Sequence, residues 1–133
     1  MRMGKFTVTR TLTAPREQVW RILTLAPYFE RWLPAKEGTA VLDVRTGGSW
    51  QASVVSEGGE EIALVGRYDD VSEPERLVMT IPGDAVAEIT LAAMGDTTEI
   101  AYTFDVPEDM HGLVEESVDK VLGKVSQVLA ETG

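Results

Sequence analysis

A single histidine, His111, and the absence of cysteine bound the chemistry open to this chain. Every mechanism that needs an imidazole depends on that one ring. His111 stands between Met110 and Gly112 at the expected start of the last helix, where a cap or loop role competes with a general-base role. Cysteine nucleophiles, thiolate metal ligands and disulfides are excluded together. A metal site would have to be built mostly from carboxylates, a donor set that suits Mg²⁺ or Ca²⁺ better than zinc. The acidic clusters Glu57/Glu60/Glu61, Asp69/Asp70/Glu73/Glu75 and Glu108/Asp109 lack calcium-loop spacing and read as solvated turns. Gly47-Gly48 and Gly58-Gly59 neither lead into a helix nor precede Lys-Ser/Thr, so they read as turns rather than phosphate loops. No motif implies a cofactor or a metal.

The remaining candidates are polar groups that strand alternation places in apolar phases: Arg10, Tyr68 and Tyr102. A buried guanidinium or phenol is either satisfied inside the protein or points into a pocket and orients a ligand carbonyl or carboxylate. Gly66 stands inside a strand pattern between Leu64 and Tyr68, where a missing side chain marks a bulge, a bend or close approach by another group. In a sheet that must curve, bending is the expected reason. Trp20, Trp32 and Trp50 supply large apolar surfaces, for the core or for contact with a ligand.

These residues are positioned by elements whose signals are local. Lys5 to Leu12 alternates, with Phe6, Val8 and Leu12 on one face and threonines on the other, which predicts a half-buried strand. Pro15 suits the first position of a helix and Glu17 its first turn, and Val19, Trp20, Ile22 and Leu23 then share one side. Pro27 can start a second short helix carrying Tyr28, Phe29, Trp32 and Leu33, with Pro34 as its stop. Six further strands are expected over Thr39–Arg45, Trp50–Ser56, Ile62–Val71, Leu77–Ile81, Val86–Met94 and Thr98–Val106, joined by turns that include Pro82-Gly83-Asp84. A meander this long must curl to bury one face. From His111 or Gly112 to Glu131 the valines 114, 118, 121, 125 and 128 recur at steps of four and three, opposite a charged face, and predict one long amphipathic helix. The fold class is α+β: a curved seven-stranded antiparallel sheet wrapped around a long C-terminal helix, with two short helices after strand 1.

A chain of 133 residues is most simply one domain, residues 1–133, long enough to build a core without staples. No stretch approaches the ~18 apolar residues of a membrane span, and no signal-peptide pattern opens the chain, so a cytoplasmic protein without membrane insertion is expected. A net charge of −10 argues against nucleic acid or an anionic membrane as the main partner. The charge is uneven: residues 1–36 carry +5 and residues 37–133 carry −15, which predicts that the basic first segment folds onto the acidic remainder.

Five blocks carry a resemblance. Phe6 to Trp20, Arg31-Trp32, Gly47-Gly48-Ser49-Trp50, Gly66 to Thr80 and Thr98-Glu99-Ile100 together resemble the START-like, Bet v 1-like (SRPBCC) helix-grip superfamily. Within it the chain is most similar to the family resembling the C-terminal domain of the activator of the 90-kDa heat-shock chaperone ATPase. The chain departs from that pattern at Gly123, followed here by Lys124 where relatives commonly carry Gly-Trp. The resemblance implies a cavity between the concave sheet and the long helix, roofed by the short helices, with Trp32 and Trp50 near its mouth. The candidate contacts are Arg10, Trp32, Trp50, Gly66, Tyr68, Met79, Tyr102, Val114, Val118, Val121 and Val125, and valine is too short to fill a deeply curved sheet. Three functions follow as expectations. One is binding of a small hydrophobic or aromatic metabolite by a monomer or homodimer. Another is a polyketide cyclase/dehydratase- or hydrolase-like enzyme using Tyr68, Tyr102 or His111, and the third is a protein-docking module of chaperone-activator type.

Overall fold

A computed structural model describes residues 3–33, 35–81 and 85–132. Strand β1 (Met3–Leu12) is followed by helices α1 (Arg16–Thr24) and α2 (Ala26–Trp32). Strands β2 (Val41–Leu42), β3 (Ser49–Val55), β4 (Glu61–Ser72), β5 (Arg76–Ile81), β6 (Ala85–Met94) and β7 (Thr97–Pro107) come next. A 3₁₀ turn (Glu108–Met110) then leads into α3 (His111–Thr132). The seven strands form one antiparallel sheet in the order β1-β7-β6-β5-β4-β3-β2, a meander closed by the return of β7 to β1. This is the expected α+β helix-grip arrangement. The turn at 82–84 and Pro34 lie outside the described residues.

Local chemistry fixes the element ends. Pro15 caps α1 with extended backbone instead of occupying its first turn, and its carbonyl accepts from the Gln18 and Val19 amides. Extended ψ at Pro15 turns the chain off the sheet directly into the helix. The Leu25 amide closes α1 on the Arg21 carbonyl while the Leu25 carbonyl opens α2 by accepting from Tyr28 and Phe29, so the two helices share one hinge residue.

Strand β2 is much shorter than the expected Thr39–Arg45, because side chains take the amides that a longer ladder would use. The Thr39 hydroxyl accepts from the Ser53 amide at 3.1 Å, and the Glu30 carboxylate accepts from the Ala40 amide at 2.8 Å. Past Leu42, the Arg45 amide turns back on the Asp43 carbonyl.

The basic first segment does fold onto the acidic remainder. Arg10 pairs with Asp119, Arg16 with Glu75 at 3.7 Å, Arg31 with Glu131 at 2.6 Å and Lys36 with Glu61 at 3.4 Å. These are exposed or half-exposed pairs whose individual worth is small. Arg31 and Glu131 fasten α2 to the last turn of α3 with two hydrogen bonds, and Gln18 reaches Thr132 from α1. Burial of Val125, Val128 and Leu129 continues along the same end of the helix, where the core is closed.

Candidate ligand cavity

Toward its N-terminal half α3 does not close on the sheet. Val114 and Val121 are only half-buried there, and a cavity of about 400 Å³ opens between them and the concave strands. Its depth is set by aromatic packing. Phe29 of α2 meets Trp32 edge-on at 4.7 Å and tilts against Trp50 of β3 at 5.5 Å, so the two elements build one aromatic end wall. Met79, Ala87, Ile89, Tyr102, Phe104 and Val106 supply the sheet side from β5, β6 and β7. Leu113, Val114, Ser117, Val118 and Val121 supply the helix side. Met110 and Leu113 line the cavity and are also solvent-exposed, which places its mouth at the junction of the 3₁₀ turn and α3.

The eleven candidate contacts separate into two groups. Trp32, Trp50, Met79, Tyr102, Val114, Val118 and Val121 lie on the cavity wall. Arg10, Gly66, Tyr68 and Val125 do not. Arg10 shares the inward phase of β1, but its guanidinium is taken by Asp119 of α3 and the Thr9 carbonyl, where it remains 45% exposed. Val125 is fully buried in the closed end of the core, one turn beyond the last valine that faces open space.

Gly66 is explained by close approach rather than by bending. It pairs with Trp50 across β3 and β4, and a Cβ built on it would overlap both the Trp50 indole and the Thr80 carbonyl. The irregularity in β4 falls further on, at a register shift between Tyr68 and Asp70 in its pairing with β5. The glycine therefore makes room for Trp50, which in turn ends the cavity.

Hydrogen bonding distinguishes the three tryptophans. Trp20 donates to Glu73 at 3.0 Å and Trp32 donates to the Ile22 carbonyl at 3.1 Å. Among the described residues the Trp50 indole nitrogen is buried without a partner, as are the hydroxyls of Tyr68 and Tyr102. Burial raises the Tyr102 pKa well above the ordinary phenol value. Burial does the same to Tyr68, with the Asp43 charge adding to it. Both phenols are thus held protonated as neutral donors.

His111 lies off the cavity wall and does structural work. Its Nε2 is 3.2 Å from the Gly4 carbonyl and 3.3 Å from the Val106 carbonyl, and its ring stacks on Phe6 at 4.9 Å. A nitrogen facing two carbonyls carries the proton, so the ring fastens the start of α3 to β1 and β7. Among the described residues no group of three His, Asp or Glu side chains is placed to hold a metal ion.

Ten wall residues were not among the sequence candidates: Phe29, Leu33, Ala85, Ala87, Ile89, Phe104, Val106, Met110, Leu113 and Ser117. A signal existed for two of them. Phe104 follows Tyr102 by two on a strand and Phe29 precedes Trp32 by three on a helix, spacings that keep side chains on one face.

A curved sheet gripping one long helix, with an apolar hollow between them, defines the helix-grip class of START-like domains. The sequence model of the family described as "Activator of Hsp90 ATPase homolog 1-like protein" matches residues 13–131, and the chain belongs to that family. Solved structures share the fold along nearly the whole length. The solution structure of an AHSA1-like protein from Aeromonas hydrophila superposes with a TM-score of 0.86 at 17% identity, covering 98% of this chain and 94% of that one. A crystal structure from Rhodobacter sphaeroides gives 0.81 at 21% identity with 99% of both chains covered. One from Chromobacterium violaceum gives 0.79 at 24% identity, covering 93% of this chain and 95% of that one. No curated protein matches the chain.

Proposed function

We propose that this protein binds a small hydrophobic or aromatic molecule in the cavity between α3 and the concave sheet. The observation that carries the reading is the local contrast along α3. The same valine stripe is fully packed at Val125 and Val128 yet faces about 400 Å³ of apolar space at Val114, Val118 and Val121. Empty apolar volume costs stability, because the lining side chains lose their dispersion partners, and the volume lies within the range of small-ligand sites. Phe29, Trp32, Trp50, Tyr102 and Phe104 offer broad aromatic faces to such a ligand. The buried Tyr102 hydroxyl is already desolvated, so an acceptor that reached it would gain a bond at little further cost.

Catalysis by the same cavity receives less support. A cyclase, dehydratase or hydrolase needs a proton carrier beside the substrate. Among the described residues the wall offers no carboxylate, imidazole or amine, and its Tyr102 hydroxyl is held in the protonated form.

The test is a titration with Nile red, an uncharged apolar dye. The expected result is a blue-shifted emission that saturates at one dye per chain and is lost when the cavity is filled by Val121→Phe. Emission that never saturates, or that survives filling unchanged, would place the dye elsewhere and overturn the reading.

A further inference from the structure

The charge distribution around the cavity narrows the class of occupant. Among the described residues, none of the side chains on the wall carries a charge. Among the described wall residues the polar side-chain groups are the Ser117 hydroxyl, the Tyr102 hydroxyl and the indole nitrogens of Trp32 and Trp50, all neutral. An ionised carboxylate moved into such surroundings loses its hydration, a penalty of many kcal/mol that neutral hydrogen bonds do not restore. A ligand could avoid that penalty by leaving its headgroup at the mouth, but the mouth is acidic. Met110 follows Asp109 directly, and Ser117 follows Glu115 and Glu116 on α3, while the whole chain carries −10. Lys120 is the cation nearest along the helix, and it lies 3.9 Å from Glu116.

Resting on the cavity reading above, we propose that the physiological occupant is an uncharged apolar molecule and that the cavity discriminates against carboxylates of the same shape. Wall and mouth act in the same direction: the wall gives an anion no counter-charge and the mouth repels it. A fatty alcohol, an ester or an uncharged aromatic ketone satisfies this chemistry, and a free fatty acid or aromatic acid at neutral pH does not.

The experiment displaces Nile red from the whole chain with 1-decanol and with decanoate at pH 7.5 and low ionic strength. Decanol is expected to displace the dye, and decanoate to bind at least tenfold more weakly. Ser117→Lys puts a cation at an exposed position on the mouth and should narrow the gap severalfold by improving decanoate alone. Decanoate binding as tightly as decanol in the parent protein would overturn the discrimination while leaving the cavity reading intact. If neither ligand displaces the dye, the cavity reading itself fails and this inference with it.

Discussion

Phenylalanine placed at Val121 and at Val125, one helical turn apart, should give opposite results. Val121 lines about 400 Å³ of open space and is half-buried, whereas Val125 is fully buried in closed core. Extra methylenes forced into packed core cost about 1–3 kcal/mol through off-rotamer side chains and backbone shifts. At Val121 the added ring enters the hollow, so that penalty is absent and some apolar area is newly covered. For a chain of 133 residues the unfolding entropy near the midpoint is about 0.28 kcal/mol/K. Val125→Phe should therefore lower Tm by about 4–11 °C, while Val121→Phe should hold Tm within about 2 °C of the parent, under ~0.6 kcal/mol. Dye affinity should move the other way, falling at least tenfold for Val121→Phe and less than threefold for the folded Val125→Phe. Differential scanning fluorimetry and Nile red titration on the same samples read both quantities. Equal destabilisation by the two substitutions would refute the claim that α3 stands off the sheet at Val121.

Other substitutions probe the parts that shape the hollow. Tyr102→Phe removes a buried hydroxyl with no partner and should stabilise the protein by about 1 kcal/mol in urea melts, since an unsatisfied buried group carries its desolvation cost uncompensated. Because burial raises the pKa of Tyr68 and Tyr102, the unfolded chain releases those protons first as pH rises past about 10. The associated stability is present below pH ~10 and declines above it, by about 1.4 kcal/mol per pH unit for each phenol, and the Tyr68→Phe/Tyr102→Phe double variant should flatten that alkaline limb. Gly66→Ala should abolish the cooperative thermal transition or lower stability by more than ~3 kcal/mol, because the added carbon collides with backbone at Thr80 as well as with Trp50. Arg10→Ala, by contrast, breaks a half-exposed pair with Asp119 and should cost under ~1 kcal/mol with dye affinity unchanged.

Periodicity carried most of the architecture. The alternation of β1 and the four-three valine steps of α3 encode which face is buried, and both elements form where those patterns run. Strand β2 was the exception among the strands, since nothing local in Thr39 or Glu30 announces that their side chains will replace its ladder partners. The site was legible to the extent that it follows from facing. A helical stripe tells which side of α3 meets the sheet, so Val114, Val118 and Val121 could be placed facing it. It does not tell how far the sheet stands off at each turn, so Val125 could not be separated from them. Arg10 was ambiguous because a long side chain in an apolar phase can turn inward or run out past the edge. Gly66 shows the same limit: the gap was visible, and that Trp50 fills it depends on a strand pairing that only the folded sheet defines.

The central claim is that an apolar molecule enters between α3 and the sheet, and intermolecular NOEs from bound 1-decanol to valine methyl groups test it most directly. Val114, Val118 and Val121 line the cavity, whereas Val41, Val55 and Val65 are exposed and away from its wall, so all six sites can be read in one methyl-labelled sample. The account predicts cross-peaks to the first three valines and none to the others. Cross-peaks confined to Val41, Val55 and Val65 would show that the ligand rests on the outer surface of the sheet and would contradict it.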